Sequence, residues 1–577
     1  MKTRKRDSQR VGVTREPAAR RAWIWWCTVA GALIVLFSAY GPAMHTGFLF
    51  DDTTQQFAQP SASEPLAAWI GPVRPVLMFS YWVNSRISLE DTSSYHLFNL
   101  LIHALTGVLV FLVIRRLLEW AGAEEPSRTP WAACGALLFL LHPLQAESVA
   151  YISGRSDSLC GLFGCAAFAA FLYRRSPAIT WAGVAPVVLL FGAALLTKEQ
   201  AVALPVLLVL TDFWWNPESR LRGLRANWKL YAVLAAGAAG GVALFWKLIL
   251  GIGTGGSAGF AMKDFTWYQY LFTEFRAVFA YVFNFLLPVN LNVDWDFPIS
   301  HSILEHGAIF GLAGLLALAA AVWRYRRTFP LAGYGYFVFL VLLSPTSSVL
   351  PIKDPIADRR MYLPILGLIL IAIDLLRRLR VDRKVVASGA AAVIAAAAMA
   401  THARAEVWSS PIALWQDTAL KSPNKTRAHF QLAFAYQEEG RSDLAVAEFQ
   451  KTAELKPPTA DLLLDWGLAY DGLNQPDKAL EKFRQAAAIG PSAHVYTQIG
   501  YIYAKRSQWP EAMQAFDTAE KLDANFAVTY MYKGQVRLAN KEFAQAVAEF
   551  QHALALDSSL APAREGLTMA QRSLIGR

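Results

Sequence analysis

Hydrophobic positions along the chain fall into two regimes that change near Ala403. Before it, long apolar runs alternate with short polar connections, the pattern of a polytopic membrane protein. Beyond it, small apolar residues recur at helical spacing among charged ones, as in a soluble helical domain. Runs near 23–40, 96–117, 131–151, 158–174, 179–197, 200–216, 229–250, 303–323, 329–350, 361–377 and 384–402 predict about eleven spans. The stretch 267–287 carries Glu274 and Arg276 and is read as a helix lying at the interface or re-entering it.

From about Thr426 the sequence repeats with a period of about 34 residues. Leu432-Ala433 with Tyr436, Trp466-Gly467 with Tyr470, and Ile499-Gly500 with Tyr503 mark the first helix of three units. Ala445, Ala479, Ala512 and Ala546 occupy the crowded crossing point of the second helix, and Phe449, Phe483, Phe516 and Phe550 follow on the same face. This is the tetratricopeptide (TPR) pattern, preceded by a half-unit around 415–423 and closed by a capping helix over 562–575. Such arrays dock peptides or protein partners and do no chemistry themselves.

Charge orients the membrane half. The chain has 577 residues, 55% hydrophobic content and a net charge of +10. Its cations cluster at the ends of apolar runs: Lys2 to Arg21, Arg115-Arg116, Arg174-Arg175, Arg220 to Lys229, Arg324 to Arg327 and Arg377 to Lys384. A single threading puts all of them on the cytoplasmic side, so they are topogenic rather than nucleic-acid-binding. The first run lacks a small-residue cleavage site and is read as a retained span. Asp51, Asp52 and the TPR array then lie outside. The four cysteines sit within apolar runs and are read as core or lipid-facing residues rather than disulfides or ligands. Short connections and the absence of organelle signals fit a bacterial inner membrane, with the external face periplasmic.

Polar residues on the wrong side carry the candidate chemistry. Two adjacent aspartates at a membrane surface repel each other, a cost that binding or reaction explains. On the same face come Arg74, then His96, Asn99 and His103 on one helical face, then His142-Pro143 with Glu147. Arg155 with Asp157, Lys198-Glu199-Gln200, and Asp358-Arg359-Arg360 follow. Cations gathered with carboxylates at the face where cations are scarce imply a lined cavity. There, guanidinium or ammonium groups suit a lipid-linked phosphate, and a carboxylate suits proton removal from an attacking hydroxyl. No P-loop, zinc-ligand pair or nucleophile elbow stands in a suitable context. Two adjacent aspartates are too few ligands to support a divalent metal.

At these residues the chain resembles the transmembrane-and-TPR O-mannosyltransferase family of the GT-C glycosyltransferase superfamily. The matching stretches are Phe50-Asp51-Asp52, Arg74-Pro75, Tyr95-His96-Leu97-Phe98-Asn99 with His103, and His142-Pro143 with Glu147. They continue with Gly154-Arg155-Ser156-Asp157, Lys198-Glu199-Gln200, Leu291-Asn292-Val293-Asp294 and Asp358-Arg359-Arg360-Met361-Tyr362-Leu363-Pro364. The chain departs from the family pattern at Asp358, where a glutamate is usual, and in lacking an asparagine after the acidic pair.

The resemblance implies an all-α, GT-C-like membrane domain over 22–403 behind a basic cytoplasmic segment, 1–21. A linker over 404–425 and a TPR α-solenoid over 426–577 follow. It implies transfer of a sugar, mannose in the family, from a polyprenyl-phosphate carrier to Ser or Thr of an exported protein recruited by the TPR array. Asp51 becomes the base, with Asp52 beside it; Arg155, Lys198, Arg359, Arg360 and Arg74 become phosphate ligands. His96, Asn99, His103, Glu147, Asp157, Glu199 and Asp358 become pocket residues. No cofactor or metal is assigned. The alternatives are a non-catalytic membrane-anchored TPR scaffold for envelope assembly and a glycosyltransferase with a glycan acceptor.

Overall fold

The computed structural model describes residues 18–88, 91–176, 178–215, 220–249, 258–260 and 262–575. The basic residues Lys2 to Arg15, on which the expected orientation draws, lie outside the described residues. Among the described residues the regular secondary structure is all helical, apart from a single antiparallel bridge between Ala258 and Ile352. Contacts divide the chain into two units. One runs up to Val293 and from Phe297 to Ala413; the other holds Asp294–Asp296 and everything from Leu414.

In the first unit each expected span has a helix, but the helices differ in length. Trp26–Ala43, Thr92–Trp120, Arg155–Leu172, Glu305–Tyr325 and Arg383–Val407 are each long and apolar enough to cross a membrane. A sixth span forms if Glu125–Leu141 and Pro143–Ala150, bent by 51°, count together. Pro143 explains the bend, because it has no N–H to donate and restricts His142 before it to extended backbone. Trp181–Leu195, Pro330–Leu343 and Ile365–Leu376 are apolar but have only 15, 14 and 12 residues. At 1.5 Å per residue they cover roughly 18–22 Å of a hydrocarbon core about 30 Å thick. On length and composition the structure therefore supports five or six full spans among the described residues, where the hydropathy pattern predicts eleven. The helix Trp267–Leu286 is not among them, and it buries Glu274.

Two features position the candidate site. Pro330–Leu343 and Ile365–Leu376 cross at Gly335 and Gly367, where a Cβ on Gly335 would come within 2.5 Å of the Gly367 carbonyl oxygen. Such close approach is how small residues pack apolar helices. The segment between the first helix and Pro75–Ile87 is itself packed: Phe57, Trp69, Tyr81, Tyr95 and Ile152 form one buried cluster, with Phe57 and Tyr81 ring centres 4.6 Å apart. This cluster anchors the loop that carries Asp51 and Asp52.

The second unit follows the repeat pattern. Helix pairs Thr426–Glu438 with Ser442–Leu455, Ala460–Gly472 with Pro476–Ile489, Ala493–Lys505 with Trp509–Leu522, and Ala527–Ala539 with Phe543–Leu556 succeed one another, and Ala561–Ile575 ends the described array. The four repeated alanines and four repeated phenylalanines have no exposed surface. In the last three pairs each phenylalanine ring lies against a glycine of the helix before it; a Cβ on Gly534, for example, would stand 2.8 Å from the ring of Phe550.

Candidate functional site

The acidic pair sits on a single 3-10 turn, Phe50–Thr54, entered by Phe50 with φ +49°. A left-handed backbone at an aromatic residue is strained by about 1–3 kcal/mol, and such strain collects at functional sites. The turn separates the two carboxylates. Asp52 is buried and accepts from the Ser153 amide at 2.9 Å, the Ser153 hydroxyl, and the Leu49 amide at 3.3 Å. Burial pushes its pKa up to about 7, although hydrogen bonds from Ser153 and Leu49 favour the ionised form. Asp51 is exposed and lines a cavity of about 1500 Å³.

That cavity has a polar and an apolar part. The polar wall holds Asp51, Arg74, Ser153, Ser156, Lys198, Glu199, Arg359 and Arg360. Each of the first three cations is oriented by a carboxylate. Arg74 donates to Glu199 through Nε at 3.2 Å and a terminal nitrogen at 2.6 Å, a two-point pairing. Lys198 Nζ donates to Asp157 at 2.7 Å and to the Ser156 hydroxyl at 3.2 Å. Arg359 uses its backbone amide at 3.0 Å and its guanidinium at 2.5 Å on the two oxygens of Glu147. Gly154 lets the Ser153 turn lie on the Glu147 helix, since a Cβ there would meet the Glu147 carbonyl oxygen at 2.5 Å. The apolar part runs along Trp181–Leu195, Ala203–Trp215 and Trp228–Ile249, through Phe191, Leu195, Val202, Val206, Val209 and Leu234.

Other expected site residues stand elsewhere. Arg155 is fully buried and is not on the cavity wall. Its guanidinium donates to Asn99 Oδ1 at 2.7 Å and to the carbonyls of Tyr95 and Ser80, with Tyr81 and Phe98 against it. Its guanidinium closes a buried junction, apart from the cavity wall that the other expected phosphate ligands share. Asn99 completes that junction by donating to the Tyr151 carbonyl at 3.0 Å. His96 bonds the Thr46 carbonyl, and His103 bonds Tyr362 and the Leu140 carbonyl; both are buried off the cavity. Asp358 is buried and accepts from the Asn292 amide at 2.9 Å. Arg360 reaches the wall, but it donates to Tyr270 and to the carbonyls of Thr346, Pro355 and Asp354. Glu147 and Asp157 pair with cations of the wall without lining it, and Glu199 lines the cavity directly.

The wall also includes residues that motif reading missed: Gln55, Tyr151, Ser153 and, in the apolar part, Val202, Val206 and Val209. A signal existed for the valines, whose spacing of four and three residues sets them on one helical face. Gly154, marking a turn, was the available signal for Tyr151 and Ser153. Among the described residues no three His, Cys, Asp or Glu side chains converge in a way that could hold a metal ion.

Fold and site together define a multi-helix membrane protein with an amphipathic cavity in one unit and TPR repeats in the other. A tetratricopeptide repeat model matches residues 426–459. The chain is 21% identical over 91% of its length to human protein O-mannosyl-transferase TMTC3, of which the match covers 63%. It is 23% identical over 67% of its length to the Caenorhabditis elegans protein O-mannosyl-transferase F38B6.6, covering 54% of that protein. A shorter match, 30% identical over 32% of the chain and 22% of the relative, is to Drosophila melanogaster protein O-mannosyl-transferase Tmtc1. Among solved structures, a crystal structure of MamA matches with 20% identity and a TM-score of 0.24, covering 26% of this chain and 88% of that one. Over most of its length the chain is thus similar to protein O-mannosyl-transferases of the TMTC kind, and it spans about 63% of the length of the first relatives it matches.

Proposed function

We propose that the chain is a membrane glycosyltransferase that moves a sugar, mannose by the relatives' names, from a polyprenyl-phosphate carrier to Ser or Thr of an exported protein. The observation that carries this reading is the cavity itself. A wall of Asp51, Arg74, Lys198 and Arg359 continues into an apolar groove between helices, matching a donor with a phosphosugar head and an isoprenoid tail. A scaffold that only anchors TPR repeats needs neither half.

In the reaction, Asp51 takes the proton of the acceptor hydroxyl as its oxygen attacks C1 of the sugar. The C1–O bond to phosphate breaks, and its electron pair stays with the phosphate. Arg74, Lys198 and Arg359, held in place by Glu199, Asp157 and Glu147, balance the charge that develops. The pairing carboxylates fix the cations before substrate arrives, so little reorganisation is needed during the step. Asp51 and this wall face the exterior of the cell, periplasmic in a bacterium. The TPR unit recruits the acceptor and raises its effective concentration.

The test is transfer by the purified chain from short-chain polyprenyl-phosphate mannose to a Ser/Thr peptide. Acceptor mass should rise by one hexose, and polyprenyl phosphate should be released in equal amount. No transfer from this donor, with the protein folded and the donor bound, would refute the reading in favour of a scaffold.

A further inference from the structure

Tyr151 shares the cavity wall with Asp51, Ser153 and Arg359. It is only 5% exposed, and its hydroxyl has no hydrogen-bond partner among the described residues. The Ser153 hydroxyl, which donates to Asp52, is close enough to interact with the phenol but does not meet it in hydrogen-bond geometry. Buried phenols are ordinarily paired, so an unpaired one at a cavity calls for a ligand. The ring is held in position: Trp408 stacks on it at 5.3 Å with planes 26° apart, and Phe50 lies at 6.4 Å. Trp408 is itself buried, and its carbonyl accepts from Thr46 at 3.1 Å. The hydroxyl is within electrostatic reach of Asp51, Asp52 and Arg359. Arg74, Lys198 and Arg359 already donate to carboxylates, whereas the Tyr151 hydroxyl, with only Ser153 near it, makes no hydrogen bond of good geometry to a described residue.

We infer that Tyr151 is a further catalytic residue, its hydroxyl donating a hydrogen bond to the phosphate oxygen that departs from the sugar. This rests on the transfer reaction proposed above. As the C1–O bond breaks, the acceptor's proton goes to Asp51 and the departing phosphate gains one negative charge. A donor aimed at that oxygen strengthens toward the transition state, which is what lowers the barrier. A phenol, with an ordinary pKa of about 10, stays protonated at neutral pH and keeps its proton throughout. Tyr151 therefore stabilises charge without competing with Asp51 for the acceptor's proton.

The test is the Tyr151→Phe variant of the full chain, assayed with polyprenyl-phosphate mannose and a Ser/Thr peptide. Phenylalanine keeps the stack on Trp408 and deletes only the hydroxyl. Turnover should fall about 10²–10³-fold, the usual cost of one positioned donor, while the donor KM changes less than about threefold. Fluorotyrosines placed at position 151 should give rates that follow phenol acidity, a trend a packing role does not produce. If the unaltered chain transfers sugar and Tyr151→Phe keeps pace, the inference is overturned and the proposed reaction stands. A fall that comes with equal loss of donor binding and flat fluorotyrosine rates also overturns it, by making Tyr151 structural. If the unaltered chain transfers nothing from this donor, the reaction and the inference fail together.

Discussion

The two adjacent aspartates stand in different environments, and Asp52→Asn tests the difference. Asp52 is buried under Ser153 and Leu49, and its pKa is pushed from 3.8 to about 7 chiefly by desolvation. Because the folded value lies above the unfolded one, the native state binds the extra proton between about pH 4 and pH 7. Stability from this group is therefore full below the unfolded pKa and lost as pH rises through the folded one. With one pKa unit worth 1.36 kcal/mol, a proton held to about pH 7 contributes about 3 kcal/mol at pH 5 that is gone by pH 8. Asparagine cannot titrate. It also turns an amide toward a site that offers donors from Ser153 and Leu49, a pH-independent cost of about 1–3 kcal/mol. The readout is thus the slope and not the level. Denaturant unfolding of the purified chain in detergent from pH 5 to pH 8 should show the unaltered protein losing stability relative to Asp52→Asn by that amount. Parallel curves would show that Asp52 carries no extra proton and is ionised beneath the turn like an ordinary carboxylate.

Asp51→Asn should leave folding unchanged, since the side chain is exposed, yet lower sugar transfer about 10²–10⁴-fold; near-normal transfer would remove Asp51 as the base. Arg155→Ala should lower the stability of the chain by about 3 kcal/mol or more, because Asn99 and two carbonyls lose their donor, and a folded variant that fails only in donor binding would contradict the structural role. A chain ending after Ala413 keeps Trp408 against Tyr151 and should still modify a small peptide while losing efficiency on a protein acceptor; equal loss on both, measured as kcat/KM, would mean the TPR unit supports the chemistry.

Much of the architecture was legible because it depends on local spacing. The TPR alanines and phenylalanines recur at one period, and each fills the same place in its own helix pair, so the repeat alone identifies the packing. The span pattern located a helix at every expected run, but hydropathy does not see where a helix breaks. Pro143 bends one run and several others form helices of 12 to 15 residues, so five or six helices among the described residues qualify as full spans by length and composition, beside the eleven apolar runs. At the site, the motifs pointed to the acidic pair and to a set of wrong-side cations, yet gave no means of ranking them.

Sequence by itself determined the two-part character of the chain, the repeat array, and the stock of charged residues from which a site is made. Only the tertiary structure decided which of those residues share a cavity. Arg155 and Lys198 look alike as isolated cations beside membrane runs, but Arg155 turns into a junction of Asn99 and backbone carbonyls while Lys198 turns onto the wall beside Asp157. Asp51 and Asp52 are neighbours in the chain, and one turn of 3-10 helix sends one to the cavity and the other beneath it. The physical reason is that hydrophobic patterning constrains which face of a helix is apolar, while a polar side chain's role is set by the partners that distant segments bring to it.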